Sequence, residues 1–344
     1  MTMARMTMMG IGAVLMLGTS ANAVPASAVG FTVLTYNVEG LPWPVRWGRQ
    51  AQADRIAASL KQLRSRGAQP HVVVLQEAFT QAAKAIPIKA GYRYVADGPG
   101  RDERGARASS PGDRQFVADG RALRGETEGK WADSGLRIAA DYPILSVRRM
   151  AFPEHACAGL DCLANKGVLA VTLAVPGSSE PVTVVATHLN SRKASGVPFA
   201  RSFYAYRRQI DALSAFIRAA VPSNHPMILA GDFNAGQRPD RRHYLVRNAA
   251  LWRPRSGLAV ALDQCVAALG CRMQGEADIA FSRKHGRDWQ FFSSGRAVRL
   301  SLAGLSVPFG HDAAGSMLSD HVGYVAAYRI RPTVASLPMQ LAQR

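Results

Sequence analysis

Short apolar runs that end in or border a polar residue recur along the chain: Phe31 to Val38, Val72 to Glu77, Leu136 to Ala140, Ile144 to Phe152, Val168 to Val175, Val182 to His188, Met227 to Asp232 and His321 to Ile330. They are rich in Val, Ile, Leu and Thr and bounded by Gly or Pro, which predicts buried strands. Between them, Ile56, Leu60 and Leu63, and again Ile210, Leu213 and Ile217, keep the spacing of one apolar helical face. Strands outnumber helices. The consecutive runs 144–152, 168–175 and 182–189 read as antiparallel neighbours. Helices then cover the outer faces, so the expected architecture is an α/β sheet sandwich flanked by helices.

One stretch breaks this pattern. Residues 98–130 are rich in Gly and Arg, have no apolar period and carry seven basic and six acidic residues, which predicts a mobile loop rather than a polyanion site. At the N-terminus, Arg5 precedes an apolar run from Met8 to Leu17, followed by Ala21-Asn22-Ala23 and Ala26-Ser27-Ala28. This is the grammar of an export signal cleaved after Ala23 or Ala28. The run is shorter than the roughly 20 residues that cross a bilayer as a helix. The expected organisation is a signal peptide over 1–23, one catalytic domain over 30–332 and a tail over 333–344. The expected protein is secreted or periplasmic and monomeric, with no protein partner.

With 344 residues, 48% of them apolar and 19% charged, the chain is not disordered. Lys and Arg number 42 against 24 Asp and Glu, a net charge of +18 that becomes +17 once Arg5 is removed with the signal. A cationic surface favours nucleic acid, acidic lipid surfaces or phosphorylated substrates. An Arg-rich composition accounts for it equally well, so charge alone does not choose among them. Export makes the four cysteines disulfide candidates. Cys157 with Cys162 and Cys265 with Cys271 are close enough to pair locally, and neither spacing suits zinc.

In a chain poor in acids, Glu77, Asp232 and Asp320 each end or border an apolar run, where an unpaired charge is expensive to bury. Any one of them could be a cap or a turn residue; together they suggest a site. In Thr35-Tyr36-Asn37-Val38-Glu39-Gly40, Asn37 and Glu39 alternate and should project to one face of the strand. Asp232 and Asn234 repeat that spacing in Gly231-Asp232-Phe233-Asn234. Ser319-Asp320-His321 sets a carboxylate beside an imidazole, and Thr187-His188-Leu189-Asn190 supplies a second histidine. Carboxylates plus an amide suit a hard cation such as Mg²⁺, with Mn²⁺ or Co²⁺ as substitutes. Two histidines beside it suit phosphodiester hydrolysis, one activating water and the other protonating the departing oxygen or stabilising the transition state. No G-x-S-x-G motif offers a competing nucleophile.

The ordered set TYNVEG, LQE, SGL, THLN, GDFN and SDH, spanning residues 31–330, resembles the endonuclease/exonuclease/phosphatase superfamily of deoxyribonuclease-I fold. The resemblance implies a four-layered α/β/β/α sandwich with the site at the mouth between the sheets. It implies Asn37 and Glu77 as the metal pair with Glu39 as an accessory ligand, His321 as general base and Asp278 as the carboxylate that orients it. Asp320 would serve a second cation or a water-mediated contact, Asp232 and Asn234 would hold phosphate and water, and His188 would act on the phosphoryl oxygen or leaving group. Asp161 and Asn165-Lys166-Gly167, with Ser134-Gly135-Leu136 and Tyr142-Pro143-Ile144, look like the neutral-sphingomyelinase branch. That implies substrate contacts at Asp161, Asn165, Lys166 and Asn190, and a phospholipid substrate at a membrane surface. An exported nuclease is the first alternative, favoured by the basic stretches 192–218 and 238–255. A phosphatase of soluble phosphoesters is the second.

Overall fold

Two sheets face one another across a core of aliphatic side chains. The computed structural model describes residues 29–42, 45–253, 256–268 and 270–333, so the expected signal peptide and the tail beyond Thr333 lie outside the described residues. In chain order the first half comprises β1 (Val29–Asn37), α1 (Arg49–Ser65), β2 (Val72–Gln76), α2 (Gln81–Lys89), β3 (Tyr94–Asp97), α3 (Pro111–Ala118), β4 (Arg137–Ala140), β5 (Ile144–Ala151), β6 (Gly167–Leu173) and β7 (Val182–His188). The second comprises α4 (Phe199–Ala220), β8 (Met227–Asp232), α5 (Pro239–Ala249), β9 (Ala259–Val260), α6 (Ala261–Ala267), β10 (Arg272–Gln274), α7 (Glu276–His285), β11 (Asp288–Ser293), β12 (Val298–Phe309) and β13 (Gly323–Pro332).

One sheet runs in the order β10-β12-β13-β1-β2-β4-β3 and the other β5-β6-β7-β8-β11-β9. Alternate residues of each strand face inward, so Phe31, Val33, Val72, Val74 and Ile138 meet Leu169, Val171, Val184, Ile228 and Ala230 between the sheets. The opposite alternation feeds the outer layers. Leu34, Tyr36, Val73 and Leu75 pack on Ile56 and Leu60 of α1, while Val185, Met227 and Leu229 pack on Ile210, Leu213 and Ile217 of α4. This is the four-layered α/β/β/α sandwich, and β5-β6-β7 is antiparallel as expected.

The Gly/Arg-rich segment 98–130 holds more regular structure than its composition predicts. It contains α3, whose N-cap Ser110 accepts a hydrogen bond from the Asp113 amide at 3.1 Å. Asp113 in turn meets Tyr204 Oη at 2.6 Å and Arg208 Nε at 2.8 Å, and Arg201 of α4 stacks on Phe116 at 4.1 Å. Three of the segment's acids, Glu103, Asp113 and Glu126, pair across the fold with Arg149, Arg208 and Arg201. Both local disulfides, Cys157–Cys162 and Cys265–Cys271, are formed, with Cα separations of 5.1 and 5.2 Å. No helix among the described residues is long and apolar enough to cross a membrane.

Candidate active site

Strand register builds the site. β7 and β8 are parallel with His188 opposite Asp232, and β11 lies antiparallel to β8 with Asp288 opposite the same Asp232. Three adjacent strands therefore present His188, Asp232 and Asp288 in a row. The facing sheet contributes Asn37 at the end of β1, paired with Gln76 of β2, then Glu77 one residue on, and His321 just ahead of β13. Gly231 permits the close approach of β7 and β8, because a Cβ there would sit 2.0 Å from the Thr187 carbonyl oxygen. Among the described residues, the three non-glycine residues with left-handed φ are Glu39 (48°), Glu77 (55°) and Asn234 (47°), all at this mouth. Such conformations cost energy and persist where surrounding contacts hold them.

The side chains interlock. Asn37 Nδ2 donates to Glu77 Oε1 at 3.0 Å and to Asp232 Oδ2 at 3.2 Å, bridging two carboxylates from different sheets. His321 Nδ1 lies 2.9 Å from both oxygens of Asp288, which leaves Nε2 facing Asp232 Oδ2 at 3.6 Å and Arg287 Nη1 at 3.1 Å. His188 Nε2 lies 3.5 Å from Asp232 Oδ2, 3.9 Å from Glu77 Oε1 and 3.2 Å from Lys166 Nζ. Asn234 donates its backbone N–H to Asp232 Oδ1 and its Nδ2 to the Leu189 carbonyl, each at 2.9 Å.

Burial sets the electrostatics. It pushes the Glu77 carboxyl up to about 7, against the Asn37 hydrogen bond, and Asp232 up to about 6, against the charge of His321. Burial lowers His321 as well, but Asp288 and Asp232 outweigh it and push the imidazole up to about 10. Burial, then the charges of Lys166 and His321, hold His188 well below its ordinary value. A buried acid, Asp232, and a partly buried one, Glu77, sharing one amide are a ready oxygen site for a hard cation. The donor set therefore fits one. Asp232, Asp288 and His321 also bring one ligand atom each within 4.8 Å of one another. His321 Nδ1 is already taken by Asp288, so that trio offers an imidazole held by a carboxylate rather than three free ligands.

Several expected residues stand elsewhere. Asp278 lies on α7 and binds His311, Nδ1 to Oδ1 at 2.5 Å, so it does not orient His321. Asp288 does. Glu39 does not share the strand face with Asn37, because its left-handed φ breaks the alternation. Its carboxylate is held by Arg46 at 2.7 Å and Arg49 at 3.4 Å, and Asp320 is paired with Arg287 at 3.3 Å, so neither joins Glu77 and Asp232. Asn165 spends its Nδ2 on the carbonyls of Gly100 (2.6 Å) and Glu103 (2.8 Å), anchoring the 98–130 segment. Asn190 is bound to the Ala158 amide and the Ser191 carbonyl. These two amides hold loops rather than facing a substrate.

Lys166 is buried against Asp161 Oδ1 (2.9 Å) and the Leu189 carbonyl (3.2 Å). An ammonium only donates, so His188 Nε2 accepts and its proton sits on Nδ1, which is buried without a partner among the described residues. Burial and the Lys166 and His321 charges favour the neutral form of His188, which the resemblance places on the phosphoryl oxygen or leaving group. Asp288 and Arg287 were not anticipated. Yet Asp288 opens the apolar run Trp289 to Phe292, the same acid-beside-strand pattern that picks out Asp232.

The comparisons agree with this geometry. The sequence profile of the Endonuclease/Exonuclease/phosphatase family matches residues 34–321. A search of curated proteins finds no match. Among solved structures, sphingomyelinase C from Streptomyces griseocarneus superposes with a TM-score of 0.59 at 22% identity, over 87% of this chain and 99% of that one. A mutant beta toxin from Staphylococcus aureus with bound magnesium ions gives 0.57 at 16%, over 89% and 100%. TDP2 from D. rerio complexed with a single-strand DNA product gives 0.55 at 16%, over 87% and 98%. At these identities the likeness shows the fold. The profile match spans most of the chain and takes in the strand ends that carry Asn37, His188, Asp232, Asp288 and His321, so this chain belongs to the endonuclease/exonuclease/phosphatase family, a family of phosphoester hydrolases.

Proposed function

We propose that the protein is an exported, Mg²⁺-dependent phosphodiesterase of the sphingomyelinase C type, hydrolysing sphingomyelin to ceramide and phosphocholine. The observation that carries the hydrolytic part is the register that aligns His188, Asp232 and Asp288, with His321 of the facing sheet bonded to Asp288 and Glu77 beside them. His321, oriented by Asp288, takes the proton of a water whose oxygen bonds to phosphorus as the bond to the ceramide oxygen breaks, and the departing oxygen takes up a proton from solvent water. Asp232 and Asn234 hold the water and a phosphoryl oxygen, and neutral His188 lies beside them with Lys166 behind it. A hard divalent cation, held by Glu77 and Asp232 next to Asn37, would neutralise the phosphoryl oxygens and lower the proton affinity of His321.

The lipid part rests on the loop 157–167, pinned by the Cys157–Cys162 disulfide and joined to the site through Asp161, Lys166 and His188. Likeness to sphingomyelinase C supports it. The second reading, a nuclease, is favoured by the net charge of +18 and by likeness to TDP2. A single panel separates them: sphingomyelin, phosphatidylcholine, duplex DNA, RNA and a sugar phosphate, each with Mg²⁺ and with excess chelator. Phosphocholine release that chelator abolishes and Mg²⁺ restores is expected. Cleavage of DNA with no phosphocholine released transfers the assignment to the nuclease, and full turnover in chelator removes the metal.

A further inference from the structure

Arg287 immediately precedes Asp288, and its own carbonyl accepts the Phe233 amide at 2.8 Å, so its backbone is tied to the strand end that carries Asp232. Its side chain, 27% exposed, crosses the mouth to the opposite sheet. There Nη2 donates to the Asp320 carbonyl at 2.8 Å, and Nη1 lies 3.3 Å from Asp320 Oδ2 and 3.1 Å from His321 Nε2. A guanidinium offers five N–H donors in a planar fork suited to carboxylate and phosphate. Here one edge of that fork points at the nitrogen that would receive the proton of the attacking water. Nδ1 of that ring is already turned to Asp288, so Nε2 is the only nitrogen His321 can use as a base.

We propose that Arg287 is a phosphoryl-anchoring residue that, in the substrate-free protein with His321 unprotonated, caps its Nε2 and, when a phosphodiester enters, transfers its Nη1 donor to a non-bridging phosphoryl oxygen, uncovering the base. The inference rests on the phosphodiesterase reading. Three features support it. The Asp320 carboxylate that holds Arg287 is 52% exposed, so an incoming phosphate anion competes with it in solvent. The carbonyl contact at Nη2 keeps the guanidinium near the mouth while Nη1 exchanges partners. The backbone tie to Phe233 sets the pivot next to Asp232 and Asn234, where the phosphoryl group would lie. Arg287 thus couples substrate charge to access to the base: a neutral ligand leaves the cap in place.

The test uses the full chain, with Arg287→Ala, Arg287→Lys and wild type compared in two measurements. The first is titration of the metal-free protein with inorganic phosphate at constant ionic strength. Arg287→Ala should weaken phosphate binding by about 10- to 100-fold, the range for one hydrogen bond to a charged group, and Arg287→Lys should recover part of it. The second is steady-state hydrolysis with Mg²⁺ of whichever phosphodiester the wild type cleaves, where KM should rise and Arg287→Lys should restore it in part. Circular dichroism and thermal midpoints identify any variant that fails to fold, and Arg287→Gln then replaces it. Unchanged phosphate affinity in a folded Arg287→Ala overturns the proposal, even where the phosphodiesterase reading stands. A wild type that cleaves no phosphodiester overturns that reading instead, and the phosphate titration still decides whether Arg287 anchors the anion.

Discussion

At the scale of single residues, the sharpest distinction is between two aspartates ten positions apart. Asp288 meets both faces of the problem, bonded to His321 Nδ1 at 2.9 Å through either oxygen and buried beside Asp232. Asp278 is spent on His311. Asp288→Asn keeps the shape but removes the acceptor charge that fixes the imidazole tautomer, so turnover should fall by about 10² or more, as for loss of acid-base catalysis. Asp278→Asn should leave turnover near the wild-type value. Steady-state rates of the two variants side by side check the assignment, and the reverse ranking would return the role to Asp278.

At the scale of elements, the loops around the mouth are held by groups that look from sequence like ligands. Asn165 ties β6 to the 98–130 segment through the carbonyls of Gly100 and Glu103. Asn165→Ala leaves both acceptors unpaired and should cost about 1–3 kcal/mol of stability with little change in KM. Chemical denaturation and kinetics on the same preparation read the two effects separately. The Cys157–Cys162 bond encloses the short helical turn that presents Asp161 to Lys166, and Lys130 Nζ clasps the turn through the Cys162 carbonyl at 2.8 Å. Replacing both cysteines by Ser should therefore lower turnover, whereas the same change at Cys265 and Cys271, in the α6–β10 connection, should lower the thermal midpoint alone.

At the scale of the whole molecule, the cluster couples metal, pH and stability. Glu77, Asp232 and His321 are all raised in the fold, to about 7, 6 and 10 from ordinary values of 4.5, 3.8 and 6.5. Each then holds more protons folded than unfolded between its two values. Stability contributed this way is complete below the ordinary value and is lost as pH rises through the folded one. The metal-free protein should therefore lose thermal stability between pH 6.5 and pH 8, above the windows of the lowered groups Asp113, Glu126, His71, His155, His188 and His225 and below that of Lys130, lowered to about 8. Mg²⁺ competes with protons for the same oxygens, so it should raise the midpoint more at pH 8 than at pH 5. Differential scanning calorimetry at several pH values, with chelator and with Mg²⁺, measures both slopes. A midpoint that rises with pH in chelator contradicts the buried-acid account.

Much of this was legible along the chain because burial on one or both faces dictates local residue choice. The runs at 31–38, 72–77, 168–175, 182–188 and 227–232 are strands, and the 3.6-residue period at Ile56 and Ile210 marks α1 and α4. A polar residue at the end of such a run identified Asn37, Glu77, His188, Asp232 and His321, and short spacing identified both disulfides. β12 carries an alternation only at its start, where Val298, Leu300 and Leu302 alternate with Arg299 and Ser301, and register shifts beyond Leu302 break the pattern. Three matters belonged to tertiary structure alone. Register across sheets brought Asp288 rather than Asp278 to His321. Left-handed backbone at Glu39, Glu77 and Asn234 overrode the alternation that a regular strand would impose. Long-range pairing turned Asn165, Asn190 and the 98–130 segment from candidate ligands and a loose loop into fixed framework. A sequence determines which side chains prefer the strand ends; which of them meet is decided by contacts between residues far apart in the chain.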